Sequence, residues 1–290
     1  MAITLTNVNY YSAAANKDYM SVSQFKDFAG TIAHDACEVT ALRKASSLII
    51  PPKTTALLVG SYIDSYFEGT LDEFKAANPE IFKKTGDKGL LADYRQANDI
   101  INRIERDALF SSYMAGQKQV IMTGKLFGID WKIKMDSYHP DDKIVDLKVM
   151  KDMKPIWSDS CHRYIDFIRS WGYDIQGAIY QKIVEINTGK KLPFYIACAT
   201  KETPCDIEII EITQKYLDEA YAFVESHIQR VIDVKNGTVQ PNACHTCYYC
   251  KSDKVLSAPI TIDSIIPPSA DNNDDDGADQ HTTGFSLFDD

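Results

Sequence analysis

Apolar and polar residues alternate from residue 130 to 136, with Trp131, Ile133 and Met135 on one face and Asp130, Lys132, Lys134 and Asp136 on the other. That two-residue period predicts a half-buried strand. His139, Pro140, Asp141 and Asp142 break it as a turn, and Lys143 to Met150 resumes it as the returning strand of a hairpin. QVIMTGKL at 119 to 126 supplies a strand leading into that hairpin, and LPFYIACAT (192 to 200) with CDIEIIEIT (205 to 212) predicts a second hairpin turned at Pro204. Elsewhere the period lengthens to that of a helix. Ser21 or Ser23 can cap a helix carrying Phe25 and Phe28. Pro51 and Pro52 stop the next segment, and Thr54 or Thr55 can start a helix through ALLVGSYIDSYFEG, residues 56 to 69. Residues 91 to 114 predict one polar amphipathic packing helix with Tyr94, Ile100, Ile101, Ile104 and Leu109 on its apolar side. GYDIQGAIYQKIVE begins another, ending at Asn187, Thr188 and Gly189, and residues 214 to 235 form a last long one. Strands interleaved with helices place the chain in the α/β class.

With 290 residues, 44% of them hydrophobic, the chain can bury one large core or two small ones. No run of 18 uncharged apolar residues occurs, and the first residues lack a basic start followed by an apolar run. The expectation is a cytoplasmic protein without signal peptide or membrane span. The net charge of -10 is unevenly spread: residues 271 to 290 hold seven Asp and no Lys or Arg, which leaves -3 for the rest. Lys118, Lys125, Lys132, Lys134, Lys148, Lys151 and Lys154 crowd around the first hairpin, where some can build a locally basic groove and others solvate strand faces.

Asp146 and Lys148 stand two apart on the returning strand, so they share a face with Leu147 behind them, and Asp136 can converge on the same point. Two carboxylates beside one lysine suit a hard, oxygen-seeking cation such as magnesium and the hydrolysis of a phosphodiester. Gly60 and Asp64 are one helical turn apart, and Gln176 and Tyr180 stand at i, i+4.

The order G-x-x-x-D, then D, then D-x-K, then Q-x-x-x-Y resembles the PD-(D/E)xK nucleases of the RecB type, and more narrowly is similar to phage-encoded relatives of the RecE exonuclease (exonuclease VIII). The resemblance covers about residues 20 to 256 and implies a restriction-endonuclease-like core, a central mixed sheet flanked by helices. It further implies metal ligation by Asp64, Asp136, Asp146 and the Leu147 carbonyl, with Mg2+ or Mn2+ as the ion. Lys148 would activate water, and Gln176 and Tyr180 would touch the DNA backbone or the lysine. Gly60 would permit close packing. Asp64 departs from the commoner histidine of that motif, a change an oxygen-seeking ion tolerates. The implied activity is a 5'-to-3' exonuclease on linear duplex DNA, as a homo-oligomer, beside a single-strand annealing protein in phage-type recombination within a bacterial host. An endonuclease or single-strand nuclease with the same site, and a non-catalytic DNA-binding scaffold, stand as alternatives; the retained Asp136, Asp146 and Lys148 argue against the scaffold.

Cys244, Cys247 and Cys250 follow a C-x-x-C-x-x-C spacing that packing alone does not explain. Several RecB-type nucleases hold a [4Fe-4S] cluster with one cysteine before the core and three after it, so the resemblance makes Cys37 the first candidate for a fourth ligand. The last spacing differs from theirs, so zinc, His245 as a ligand, or no metal stay open. Cys161, Cys198 and Cys205 are expected as buried thiols. The organisation is therefore an extension over 1 to 19, a nuclease domain over 20 to 256 and an acidic tail over 257 to 290. The tail is expected to be disordered, with Phe285, Leu287, Phe288, Asp289 and Asp290 as a docking peptide or the acidic run as a competitor for the groove.

Overall fold

A computed structural model describes residues 3–49, 53–86 and 88–264. Pro51, Pro52 and the tail from residue 265 onward, with the docking-peptide reading of Phe285 to Asp290, lie outside the described residues. Two units separate, Met1–Ser252 and Asp253–Asp290. In the second, a 3₁₀ turn spans Ile262–Ser264.

Among the described residues, seven α-helices and one 3₁₀ turn (Pro79–Ile81) precede the strands: α1 (Ala13–Asp18), α2 (Val22–Ala29), α3 (Glu38–Ala45), α4 (Thr55–Glu68), α5 (Leu71–Ala77), α6 (Ala92–Glu105) and α7 (Ala108–Tyr113). Four strands follow, β1 (Val120–Leu126), β2 (Ile129–Met135), β3 (Ser137–His139) and β4 (Lys143–Met150), then a small hairpin of β5 (Ile156–Ser158) and β6 (Arg163–Ile165). The chain closes with α8 (Phe167–Ser170), α9 (Tyr173–Thr188), β7 (Phe194–Thr200), β8 (Ile207–Ile212), α10 (Gln214–Lys235) and α11 (Tyr248–Ser252). No helix among the described residues is long and apolar enough to cross a membrane.

Capping chemistry sets several boundaries. Ser21 accepts the Gln24 N–H to start α2, and Thr54 accepts the Leu57 N–H to start α4. Gly69 and Gly189 end α4 and α9 in the left-handed conformation that glycine adopts without penalty. The single helix expected over 91 to 114 is two: α6 stops at Arg106, Asp107 caps α7 through the Phe110 N–H, and Leu109 turns outward, 60% exposed. The β5–β6 hairpin was not anticipated, because three-residue strands carry too little alternation to read.

The central sheet is mixed, in the order β3-β4-β7-β8. β4 and β7 run parallel with Asp146 opposite Ile196 and Lys148 opposite Cys198, and α8 and α9 make the crossover that a parallel pair requires. Alternation along these strands sorts the two cores. Ile144 and Met150 of β4 and Phe194, Ile196 and Cys198 of β7 pack with α2, α9 and α10. Val145, Leu147, Ala197 and Ala199 pack with α4 and α6 on the other face. Asp146 and Lys148 share the parity of Ile144 and Met150, so they belong to the α9 face. α9 lies close against β7: a Cβ at Gly177 would sit 2.7 Å from Phe194 and 2.8 Å from Leu217. At Gly60 an added Cβ would meet nothing within 4 Å, so the close packing expected there is not seen among the described residues.

Two details depart from the strand pattern. β2 pairs with β1 in a separate two-stranded sheet while β3 pairs with β4, so Asp136 stands at the bend between sheets rather than within a hairpin strand. Lys132, expected on the solvent face, is buried at 1% exposure; its ammonium donates to the Tyr10 carbonyl and, at 2.8 Å, to Asn16 Oδ1. Cys198 is buried, whereas Cys161 and Cys205 are half-buried free thiols.

Candidate active site

The parity of β4 aims Asp146 and Lys148 at α9, and α9 answers with Gln176 and Tyr180. Gln176 Nε2 donates to Asp146 Oδ1 at 2.6 Å, while Asp146 Oδ2, buried with no donor aligned to it as a hydrogen bond, faces the Lys148 ammonium at 2.5 Å. Tyr180 donates its hydroxyl to the Lys134 carbonyl of β2 at 3.1 Å and so ties the helix to the other sheet. Asp136 is held over β4 from the bend: its Oδ2 accepts the Leu147 N–H at 2.9 Å and its Oδ1 accepts Gln119 Nε2 at 3.2 Å. Asp64 enters from α4. One cavity of about 400 Å3 is lined by Asp64, Asp136, Asp146, Leu147, Lys148, Gln176 and Tyr180. Every residue predicted for the catalytic centre therefore meets at one place.

The electrostatics of this cavity are those of negative charge held out of water. Burial, then the neighbouring Asp146 charge, pushes Asp136 up to about 7, against the opposing pull of Lys148 and the Leu147 N–H. Burial, then Asp136, holds the Asp64 carboxyl well above the usual carboxylate range. Burial alone would weaken the Lys148 ammonium, but the charges of Asp146 and Asp136 outweigh it and hold the group above its ordinary value. Lys148 is thus a firm cation near neutral pH, suited to donating hydrogen bonds rather than to taking a proton. The Lys148 ammonium faces these groups directly and does not by itself balance three carboxylates. Three carboxylates and a backbone carbonyl, all oxygen donors with their mutual repulsion only partly relieved, fit a magnesium or manganese ion.

Of the seven lysines expected around the first hairpin, only Lys132, Lys134 and Lys148 line the cavity. Lys125, Lys151 and Lys154 are exposed elsewhere, and Lys118 donates to the Met114 carbonyl. The sequence reading missed Tyr10, Tyr11 and Lys26, which also line it. Lys26 donates to the Trp171 carbonyl at 2.8 Å and is lowered to about 8 by burial and then by the Lys148 charge. No periodicity marks these residues; their only signal is the pairing of adjacent aromatics with nearby lysines.

A second cluster joins the two ends of the first unit. The sulfurs of Cys37, Cys244, Cys247 and Cys250 all lie within 4.8 Å of one another, with Cys37 and Cys250 3.5 Å apart and Cys37 and Cys247 3.8 Å apart. Cys37 is the residue before α3, Cys244 and Cys247 ride on the loop that enters α11, and Cys250 lies within α11. Backbone donors turn inward: the Cys247 N–H reaches Cys244 Sγ at 3.3 Å and the Cys250 N–H reaches Cys247 Sγ at 3.4 Å. The Thr246 hydroxyl, then the Cys247 N–H, pulls the Cys244 thiol down to about 5, toward the thiolate a metal requires. Glu38 clips the halves together, accepting a bidentate pair from Arg230 at 3.0 and 2.8 Å and the Asn242 N–H at 2.6 Å. His245 is not in the group. Zn–S bonds of about 2.3 Å in a tetrahedron put sulfurs roughly 3.8 Å apart, so four thiols this close fit a single ion.

The family described as a PDDEXK-like domain of unknown function (DUF3799) matches residues 21–253. Among solved structures, that of a candidate exonuclease from Eubacterium rectale is 55% identical, covers 91% of this chain and 98% of its own, and superposes with a TM-score of 0.86. The structure of SSO0001 is 14% identical over 80% of this chain and 94% of its own, with a TM-score of 0.29 that says nothing about the fold. No curated protein matches.

Proposed function

We propose, from the premise that this chain belongs to the DUF3799 family of PDDEXK-like domains, that it is a metal-dependent DNA exonuclease. The family and the E. rectale relative support a nuclease with a restriction-endonuclease-like fold. The observation that carries the finer reading is the meeting of Asp64, Asp136, Asp146 and Lys148, from α4, the inter-sheet bend and β4, in one nucleotide-sized cavity.

Asp64, Asp136, Asp146 and the Leu147 carbonyl would hold a Mg2+ or Mn2+ ion. When bound, that ion supplies charge neutralisation at the phosphate and acidifies water. Around it the chain's own groups set geometry. Gln176 fixes the rotation of the Asp146 carboxylate, and the Leu147 N–H and Gln119 fix Asp136. Lys148 donates to the attacking water or a phosphate oxygen, and Tyr180 holds β2 at the distance the cavity needs. Water oxygen adds to phosphorus as its proton passes to solvent, the ester P–O bond breaks, and the departing oxygen takes a proton from solvent.

Family resemblance extends the proposal to 5'-to-3' digestion of linear duplex DNA by a homo-oligomer, with a single-strand annealing partner in phage-type recombination in the host cytoplasm. At the cysteines the sulfur spacing favours one tetrahedral zinc ion over the [4Fe-4S] cluster that the resemblance suggests. A brown protein would reverse that choice, and a colourless one with a zinc atom per chain would support it.

The test is digestion of linear and covalently closed duplex DNA with magnesium, beside Lys148→Ala and Asp136→Ala. Loss of linear DNA alone, abolished by both changes, is the expected result. Cutting of the closed circle would replace the exonuclease with an endonuclease, and no metal-dependent loss of either would favour the scaffold.

A further inference from the structure

Residues 3 to 19 precede the family match, yet Tyr10, Tyr11 and Asn16 among them line the catalytic cavity. The core grips this segment from three sides, and Asn16 is the hub. Its side-chain oxygen accepts from buried Lys132 at 2.8 Å and from Gln24 at 3.2 Å, and its carbonyl accepts from Lys235 at 2.9 Å. Lys132 also donates to the Tyr10 carbonyl. Burying an ammonium is expensive unless it is fully hydrogen-bonded, so the position of this segment is built rather than incidental. The effect is to set Tyr10 into the core and to leave Tyr11 at the cavity wall, 71% exposed. The Lys134 ammonium lies 4.8 Å from the centre of the Tyr11 ring, and Tyr10 meets that ring edge-on at 4.9 Å. A cation and an aromatic thus pack against Tyr11, while most of the residue faces water.

We propose that Tyr11, backed by Lys134, is a nucleobase subsite that stacks the unpaired base next to the scissile phosphate. The inference rests on the nuclease reading of the same cavity. A cavity of about 400 Å3, open to solvent, is of a size to take a nucleotide. A strand end entering it with its base out of the duplex stack presents a π-face whatever the base's identity. Tyr11 offers a matching face that needs no rearrangement, and Lys134 adds a positive charge for the adjoining phosphate. Stacking of this kind is indifferent to sequence, which suits an enzyme that consumes DNA one nucleotide after another.

The experiment uses the full chain and DNA carrying 2-aminopurine, a fluorescent base quenched by stacking, at its terminal nucleotide. Binding is followed with the wild type in chelator and with the Asp136→Ala chain, and cleavage with the wild type in magnesium. Quenching on binding, lost with a weakening of about tenfold in Tyr11→Ala and kept in Tyr11→Phe, is the expected result. Unchanged quenching and affinity in Tyr11→Ala, or equal affinity for a terminal abasic nucleotide, would overturn the subsite. Cleavage without quenching removes the subsite and leaves the nuclease; quenching without cleavage in magnesium or manganese does the reverse. A chain that neither binds nor cleaves DNA removes both.

Discussion

In the carboxylate cavity like charges are buried against one another, whereas in the cysteine cluster four thiols meet at a half-buried seam between the start of α3 and α11 with the loop before it. The first is built mostly within one stretch: Asp136, Asp146 and Lys148 lie within thirteen residues, so local strand geometry sets most of it. The second is built by chain closure, since Cys37 and Cys247 are 210 residues apart. The raised carboxyl pKa values of Asp136 and Asp64 come from burial and from neighbouring carboxylates, so folding holds like charges together in the cavity. The inward N–H groups and the Glu38 clip mark the cluster as a staple. On the proposed function, one region would supply chemistry at the expense of stability and the other stability without chemistry.

The change that tests this division hardest is in the cavity. Asp136→Asn and Lys148→Ala are expected to lower nuclease activity by about a thousandfold or more. Asp136→Asn should do so without lowering the melting temperature, because it removes one of three mutually repelling groups. A fall in melting temperature matching the loss of activity would erase the contrast.

Next in size is the staple. Cys247→Ser or Cys37→Ala should leave the chain without its metal, by elemental analysis, and lower the melting temperature by on the order of 10 °C. The surviving folded protein should keep its magnesium-dependent cleavage. Selective loss of cleavage at full stability would assign the cluster to chemistry after all.

Asp174 sharpens the comparison from outside both sites. Burial raises its carboxyl to about 6, and its Oδ1 is buried without a hydrogen-bond partner. A carboxyl that holds its proton more tightly when folded contributes most below about pH 4, and that contribution fades as pH rises through about 6. Asp174→Asn is therefore expected to stabilise the protein by about 1–3 kcal/mol at pH 8 and hardly at all at pH 4, by denaturant unfolding at both values. Equal effects at the two pH values would show that burial of this charge is not what the fold bears.

The smallest effect is expected at the clip. Glu38→Gln should lower stability by about 1 kcal/mol and speed metal loss to a chelator severalfold, leaving the carboxylate cavity untouched. An unchanged rate of metal loss would separate the clip from the staple.

Much of the cavity was legible because two periods survive folding. Alternation through Lys143–Met150 fixed Asp146 and Lys148 on one face, and helical spacing fixed Gln176 with Tyr180 and Gly60 with Asp64. Lys132 was misread for a specific reason: a charged residue at an alternating position looks solvated unless its partners are known, and Tyr10 and Asn16 are 122 and 116 residues away. Tyr11 was silent because an exposed aromatic outside any regular element carries no pattern. Leu109 followed the helical period but lay past a break set by the Asp107 cap.

The sequence alone determined which way each side chain leaves its own strand or helix, and the chemistry it carries there. Tertiary structure alone decided that α9 covers the Asp146 face of the sheet, that Asp136 sits at the junction of two sheets, and that Tyr10, Tyr11 and Asn16 line the cavity. The physical reason is range: backbone geometry dictates direction over a few residues, whereas the meeting of distant elements is settled by which faces bury together and which buried charges find partners.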